Sequence, residues 1–202
     1  MTGAPILALT LGDPAGTGPE LILKALADPA VRSLARVLVV GDAVTLERAQ
    51  RYTGTVLRID AVPTVDEARF DSAAVTVLDL QNVDFFRFRL GAVDAMCGQA
   101  AYDAIRTATE LALARRVDAI VTSAINKAAL HAAGHLFDGH TGLLAHLCDA
   151  PGATMMLVAD RLRVSHVSTH VSLREAIDRV RPARILKVLQ LTHAAVRALG
   201  IE

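Results

Sequence analysis

Two polar segments of the sequence combine residue types that could bind an anionic small molecule. Residues 12–20, Gly-Asp-Pro-Ala-Gly-Thr-Gly-Pro-Glu, place three glycines before a predicted helix. Glycine lets the backbone approach a ligand, and a helix N-terminus offers free N–H groups to an anion. The spacing matches neither a dinucleotide fingerprint nor a P-loop, so a plain tight turn is the alternative.

Residues 122–127, Thr-Ser-Ala-Ile-Asn-Lys, put Asn126 and Lys127 directly after a predicted strand, where open α/β sheets bind substrates. A solvated loop lysine is the alternative there.

The seven histidines are candidates for metal binding. His131 and His135 are four residues apart in a predicted helix and could share a metal ion. A pair of exposed histidines is the commoner case, because no H-E-x-x-H motif is present. His166 and His170 have the even spacing that places two side chains on one face of a strand. We expect His170 to end that strand, where binding sites are usually built, and His166 to serve in packing.

Two further polar features have structural explanations beside the chemical ones. Residues 139–142, Gly-His-Thr-Gly, form a short insert before an apolar helix, and Thr141 could be the N-cap of that helix. The two cysteines, Cys97 and Cys148, are isolated in Ala- and Leu-rich helical patterns. They are interpreted as buried thiols of a reducing compartment. No nucleophile elbow or paired-cysteine zinc spacing is present.

Composition limits the class of protein. The chain has 202 residues, of which 52% are hydrophobic and only 3% aromatic, so the core must consist of Ala, Val, Leu and Ile, as in helix-covered parallel sheets. The 21 basic and 21 acidic residues cancel, and no global field would attract nucleic acid or an anionic membrane. Apolar runs are far shorter than the ~20 residues of a membrane-spanning helix. The N-terminus lacks a basic, signal-like region, so we expect a cytoplasmic protein.

Strand-like and helix-like segments alternate along the chain, which predicts an α/β fold with a mainly parallel sheet and flanking helices. Predicted strands cover residues 6–11, 36–40, 56–60, 75–80, 118–122, 154–159 and 162–169, and predicted helices cover residues 19–27, 43–52, 91–116, 127–133 and 182–199. Residues 61–72 have no clear period and are predicted as loop or edge structure. We place a first α/β domain at residues 1–125 and the start of a second, incomplete domain at residues 126–202.

Five segments together resemble the 4-hydroxythreonine-4-phosphate dehydrogenase (PdxA) family of vitamin B6 biosynthesis. They occur in family order along the whole chain, at residues 12–20, 118–122, 125–127, 139–141 and 169–170. The resemblance implies a two-domain α/β fold related to isopropylmalate and isocitrate dehydrogenases. It also implies a homodimer with the active site at the subunit interface.

The activity that this resemblance implies is metal-dependent oxidation of 4-phosphooxy-L-threonine by NAD or NADP. Decarboxylation to 3-amino-2-oxopropyl phosphate follows, in pyridoxine and pyridoxal phosphate biosynthesis. By the match, a divalent ion (zinc, magnesium or cobalt) is held by three histidines, of which His170 is the first. His140 and Thr141 would contact the substrate, and Lys127 is the candidate catalytic residue. A metal on the substrate hydroxyl would favour the alkoxide and stabilise the later enolate.

The sequence departs from the family pattern in two ways. Gly142 stands where the family motif continues with an acidic residue, which could indicate a related substrate such as erythronate or threonate 4-phosphate, or only the loss of a structural cap. The other two metal histidines and most cofactor contacts are expected beyond Glu202. We therefore expect the 202-residue chain alone to be inactive. The alternative is a truncated, non-catalytic fragment that dimerises.

Overall fold

The computed structural model describes residues 4–71, 73–87 and 89–201. The chain forms two compact units, Met1–Gly139 and His140–Glu202, which divide later in the chain than the predicted domain boundary. The elements of the first unit are β1 (Ile6–Thr10), α1 (Gly18–Ala27), α2 (Pro29–Leu34), β2 (Arg36–Gly41), α3 (Ala43–Thr53), β3 (Arg58–Val62), β4 (Ala74–Asp79), α4 (Ala95–Leu113), β5 (Ala119–Thr122) and α5 (Lys127–Ala132). Those of the second are α6 (His140–Leu147), β6 (Met156–Ala159), β7 (Leu162–Ser165), α7 (Leu173–Asp178) and α8 (Pro182–Ala198).

The strands described in the first unit form one parallel sheet in the order β3-β4-β2-β1-β5. This confirms the predicted fold class. The register pairs Thr10 with Val40 on one side and with Thr122 on the other. The loops that follow β1 and β5 therefore leave the sheet side by side, at its carboxyl edge.

Alternating side chains of the central strands build a core on each face of the sheet. Val39 packs with residues of α1 and α3, among them Ile22 and Leu46. Its neighbours Leu38 and Val40 point to the other face and pack with α4. Ala-rich α4 lies close to the sheet because its buried side chains are small. The predicted long helix is thus confirmed, although it is shorter than residues 91–116.

Capping aspartates and a glycine set the ends of several helices. Asp42 accepts a hydrogen bond from the Thr45 backbone N–H at 2.8 Å and begins α3. That helix ends at Gly54, whose φ of +68° favours glycine. Asp94 begins α4 by accepting from the Met96 N–H at 2.7 Å. These local signals explain why α3 begins and ends close to the predicted residues 43–52, and why α4 begins only at Ala95, after the predicted residue 91.

The prediction of loop or edge structure for residues 61–72 is confirmed, since the segment contains the end of β3, an edge strand, and a 3-10 turn, Val65–Glu67; Ser72 is outside the described residues. The expectation for the cysteines fails in part. Cys97 is buried, but Cys148 is exposed just after α6 and both thiols are free, so the expectation of two buried thiols is wrong for Cys148. Cys148 lies one residue past the end of α6, in a turn, where neighbouring packing does not cover it.

The second unit contains an antiparallel hairpin in which Leu157 pairs with Val164. β7 ends at Ser165, earlier than the predicted strand of residues 162–169. The predicted apolar stripe of α8 is only partly covered, because Val188 is buried while Leu189 and Leu199 are 60% exposed. In the described parts of both units, no helix has the length and apolar character needed to cross a bilayer.

Candidate functional site

The candidate site of the first unit lies where β1 and β5 end. We call residues 12–18 the glycine-rich turn and residues 123–127 the lysine loop. Ser123, in the lysine loop, contacts the end of β1, since its backbone N–H donates to the hydroxyl of buried Thr10 at 3.4 Å. The Asp13 N–H donates to the carbonyl oxygen of Ala124 at 2.9 Å. Both polar segments singled out in the sequence are therefore in direct contact.

The glycines of the turn face protein backbone. A Cβ on Gly12 would lie 2.3 Å from the Ala124 carbonyl oxygen, and the φ of Gly12 is +75°, a conformation that favours glycine. A Cβ on Gly18 would lie 2.3 Å from the Leu11 carbonyl oxygen. The close approach that the glycines permit is an approach to the chain itself, which favours the tight-turn interpretation over a ligand loop.

Asp13 places a buried carboxyl group within this turn. Its side chain is 2% exposed and accepts a hydrogen bond from the Ala15 N–H at 2.8 Å. Burial raises the pKa of Asp13 above 3.8; the Ala15 bond opposes that shift, and the charge of Asp94 adds to it. A buried carboxylate that already takes an amide of the turn disfavours a second anion there.

Cys97, at the start of α4, lies near the same carboxylates. Burial, followed by the charges of Asp13 and Asp94, raises the pKa of the Cys97 thiol to about 11. The thiol therefore stays protonated at neutral pH and is inert as a nucleophile. Its role is packing, as the sequence indicates.

The lysine loop ends on the first residue of α5. The Asn126 side chain accepts a hydrogen bond from the Ala129 N–H at 3.2 Å and caps that helix. Lys127 follows and is exposed. Within the described residues, no carboxylate forms an ion pair with its ammonium group. Lys127 thus offers an available positive charge at the carboxyl edge of the sheet.

His140 and Thr141 lie in the second unit, at the beginning of α6. Both are half-buried. Because the helix already begins at His140, Thr141 is inside its first turn and is not its N-cap, contrary to the capping interpretation. A Cβ on Gly142 would meet nothing within 4 Å, so that position has room for a side chain.

His170 is exposed and lies after the hairpin, with a φ of +56°. His166 also lies beyond β7, where its backbone N–H donates to Met155 at 3.0 Å and its carbonyl accepts from the Thr154 hydroxyl at 2.5 Å. The expectation that the two histidines share one face of a strand is therefore wrong. β7 ends at Ser165, before either residue: the His166 N–H bond to Met155 continues the hairpin register by one residue, but the His166 carbonyl accepts from the Thr154 side chain and not from a backbone N–H.

His131 and His135 have protein partners instead of a shared metal. Nε2 of His131 lies 3.1 Å from the carbonyl oxygen of Phe137. The His135 ring stacks on Tyr102, with centroids 3.6 Å apart, and its Nε2 is 2.9 Å from Oε1 of Gln99. Nowhere in the described ranges do three or more His, Cys, Asp or Glu side chains form a group that could hold a metal ion.

One residue that the sequence analysis did not single out contacts α5, just after the lysine loop. Gly98, in the interior of α4, is buried, and a Cβ there would lie 2.0 Å from the Ala129 carbonyl oxygen of α5. A glycine inside a helical pattern is unfavourable by itself, and a buried one indicates close packing of a neighbouring backbone. The glycine within a helical pattern can be recognised from the sequence, but its contact with Ala129 cannot.

Comparison with known proteins identifies relatives over nearly the whole chain. A protein-family profile described as pyridoxal phosphate biosynthetic protein PdxA matches residues 33–202. The chain is 41% identical over 197 residues to D-threonate 4-phosphate dehydrogenase of Cupriavidus necator, and 40% identical over 195 residues to that of Salmonella typhimurium. These alignments cover 98% and 96% of this chain, but 59% of each relative. The chain thus spans about three fifths of the length of these curated relatives.

Solved structures show the same architecture. The chain matches a 4-hydroxythreonine-4-phosphate dehydrogenase from Burkholderia phymatum with a TM-score of 0.89 and 38% identity, covering 99% of this chain and 60% of that one. It matches a terephthalate 1,2-cis-dihydrodiol dehydrogenase from Burkholderia xenovorans with a TM-score of 0.69 and 28% identity, covering 98% and 58%. The two relatives are named for different substrates, so the shared fold alone does not define the substrate.

Proposed function

The chain belongs to the PdxA family, and we propose that its protein is a nicotinamide-dependent dehydrogenase of a phosphorylated four-carbon acid. The relatives named above are dehydrogenases. The observation that carries the proposal is the exposed Lys127 ammonium, which has no carboxylate partner in the described residues and lies at the carboxyl edge of a parallel sheet. A substrate that bears both phosphate and carboxylate suits such a cation.

Within that class we favour threonate 4-phosphate over 4-phosphooxy-L-threonine as the substrate. The two acids differ at carbon 2, where threonate has a hydroxyl and the amino acid has an ammonium group. An acidic side chain beside Thr141 would favour the ammonium group, and Gly142 supplies none. Several curated relatives carry the name D-threonate 4-phosphate dehydrogenase, which supports the same choice.

Oxidation of the carbon 3 hydroxyl releases a proton from its oxygen and a hydride from the carbon, and NAD or NADP supplies the hydride acceptor when bound. The resulting 3-oxo acid loses carbon dioxide, and the electron pair of the broken bond forms an enolate. We propose that Lys127 stabilises the negative charge on that oxygen in both steps. His140 and Thr141 are proposed to hold the substrate through hydrogen bonds. No cofactor contact is assigned, because the glycine-rich turn lacks the spacing of a dinucleotide loop.

His170 alone does not fit a divalent metal site. Metal sites in proteins normally use three or four ligands, and in the described residues His170 belongs to no group of three. We derive no step through a metal. Homodimerisation and a cytoplasmic location are proposals from family membership alone.

The family resemblance predicts that His170 is one of three histidine ligands of a metal ion, and this prediction has its own test. We expect the 202-residue chain to bind zinc, cobalt or magnesium only weakly in titration calorimetry. The full-length protein should bind more tightly and lose that affinity when His170 becomes Ala. Tight, stoichiometric binding by the short chain would show that the ligand set is wrong.

The activity is tested by NADH absorbance with the full-length protein and both substrates. We expect turnover with threonate 4-phosphate and a fall in kcat of at least about tenfold for Lys127→Ala, since loss of one charge contact in a transition state commonly costs that much. Lys24→Ala is the matched control, because the Lys24 ammonium already pairs with Glu20 at 2.5 Å. Equal losses in the two variants would remove Lys127 from the mechanism, and no NADH with either acid would reject the proposed function.

A further inference from the structure

The lysine loop and the first turn of α5 lie against two glycines from different parts of the chain. Gly12, in the glycine-rich turn, contacts the loop at the Ala124 carbonyl, and Gly98, in α4, contacts α5 at the Ala129 carbonyl. The two contacts are with main-chain atoms, which cannot rotate away as a flexible side chain can. The position of Lys127 is therefore set from both sides by neighbouring backbone.

Hydrogen bonds fix the same segment. The Asp13 N–H donates to the Ala124 carbonyl at 2.9 Å, directly beside the Gly12 contact. The Asn126 side chain caps α5 at Ala129, directly beside the Gly98 contact. Each glycine thus lies next to a bond that orients the chain on one side of Lys127.

We infer that Gly12 and Gly98 are positioning residues for Lys127: their missing side chains allow the lysine loop and α5 to sit where the ammonium group meets the substrate. This inference rests on the proposed function. It gives the glycine-rich turn a role in the reaction that requires no contact between the turn and a ligand. Gly12 acts through the lysine loop, and Gly98 acts through α5.

These distances indicate how far a side chain at Gly12 or Gly98 would displace the lysine loop or α5. A Cβ at 2.3 Å from the Ala124 oxygen, or at 2.0 Å from the Ala129 oxygen, is far inside the ~3.5 Å of an ordinary contact. Relief requires a shift of about 1 Å in the lysine loop or α5, and misplacement of about 1 Å can lower a rate about 10²-fold. We therefore expect Gly12→Ala to reduce kcat at least tenfold, with a smaller change in KM.

Gly54→Ala is the matched control for backbone strain. Gly54 has a φ of +68°, close to the +75° of Gly12, but a Cβ there would meet nothing within 4 Å. Both substitutions force alanine into the left-handed region, and only Gly12→Ala also pushes the lysine loop. In the full-length enzyme we expect Gly54→Ala to keep kcat within twofold of the wild type.

A double-mutant cycle separates positioning from a general loss of structure. In the Lys127→Ala background, Gly12→Ala should lower kcat less than twofold, because the group that it displaces is already gone. A full tenfold loss in that background would overturn the inference, since Gly12 would then act independently of Lys127. If Gly12→Ala does not accumulate as folded protein, Gly98→Ala replaces it in the same cycle, with the same expected values.

Hydrogen exchange gives a second readout that does not depend on activity. Peptides covering residues 123–130 should exchange at least tenfold faster in Gly12→Ala than in the wild type. Their exchange rate should be unchanged in Gly54→Ala. Unchanged exchange of these peptides would overturn the inference even if the enzyme is active. If the wild-type protein oxidises neither substrate, the proposed function fails, and faster exchange would still support the contact between Gly12 and the lysine loop.

Discussion

Lys127 and Lys24 have the same side chain but different surroundings. Lys24 pairs with Glu20 one helical turn away on α1, the usual arrangement of a solvated helix face. Lys127 has no such partner among the described residues and follows a capping Asn126 at a strand's carboxyl edge. The difference lies in the neighbours of each lysine, and it makes Lys127 the better candidate for substrate contact.

Gly142 is the residue at which we predict a change of substrate preference. Gly142→Glu should raise the ratio of kcat/KM for 4-phosphooxy-L-threonine to that for threonate 4-phosphate at least tenfold, because the new carboxylate can pair with the substrate ammonium. The position has open space around a Cβ, and an acidic residue in the first turn of a helix is favourable.

Gly142→Gln is the control for that prediction, since glutamine has nearly the same size without the charge. Steady-state kinetics with both acids in the full-length protein measures the ratio. An equal shift in the Gln and Glu variants would mean that bulk, and not charge, determines the preference.

At the scale of elements, the glycine-rich turn is a packing device. Gly12 and Gly18 allow close contacts with backbone carbonyls, and Asp13 supplies an internal acceptor for the Ala15 N–H. A loop that resembles an anion site in sequence thus contains its own buried anion. The lysine loop, which packs against it, has the exposed charge.

The buried Asp13 makes the stability of the folded protein depend on pH in a predictable direction. Burial raises the folded-state pKa of Asp13 above 3.8, so the folded protein binds this proton more tightly than the unfolded chain does. The contribution of Asp13 to stability is therefore greatest below the unfolded pKa and decreases as the pH rises through the folded pKa. Asp13→Asn removes this dependence.

Urea unfolding of the wild type and Asp13→Asn at several pH values tests the direction of this pH dependence. The free energy of unfolding of the wild type, measured relative to the variant, should increase as the pH falls from 7 towards 4. Asp94 and Cys97 are close to Asp13, but both are present in the two proteins. A relative stability that falls on acidification would show that the pKa of Asp13 is lowered in the folded state.

At the scale of the whole molecule, the buried core is unevenly distributed. Of the buried hydrophobic residues described, only Leu143 and Val188 belong to the second unit. The hairpin of that unit has exposed apolar side chains, Leu157, Leu162 and Val164, and a two-stranded hairpin is only marginally stable by itself. The first unit, in contrast, has a core on each face of its sheet.

We therefore predict different local stabilities for the two units in the 202-residue chain. Amides of β6 and β7 should exchange with solvent at least tenfold faster than those of β1 and β2, because few buried contacts oppose local opening of the hairpin. Hydrogen-exchange mass spectrometry measures both regions in one sample. Equal protection would indicate a single cooperative unit.

The fold class, most strands and helices, and the family follow from local sequence patterns. The signals are local: apolar residues alternate along strands, Asp42 and Asp94 precede helices, and Gly54 follows one. Each of them acts through residues only a few positions away in the chain. The five family motifs are likewise segments of continuous sequence. The PdxA profile matches residues 33–202 of the chain, a range that includes four of the five segments, and this match confirms the resemblance, whereas the site roles of Lys127, His140, Thr141 and His170 remain predictions.

The contacts of the candidate residues depend on the tertiary structure. Gly12 meets Ala124, and Gly98 meets Ala129, because parallel strands and their crossover helices join segments that are far apart in the chain. The tertiary structure also places the end of β7 before His166 and leaves Cys148 exposed. Sequence patterns record the average polarity and the local conformational preference of a residue. The identity of its neighbour across a packed interface depends on the whole arrangement of strands and helices, and it is this arrangement that places two glycines beside the backbone on either side of Lys127.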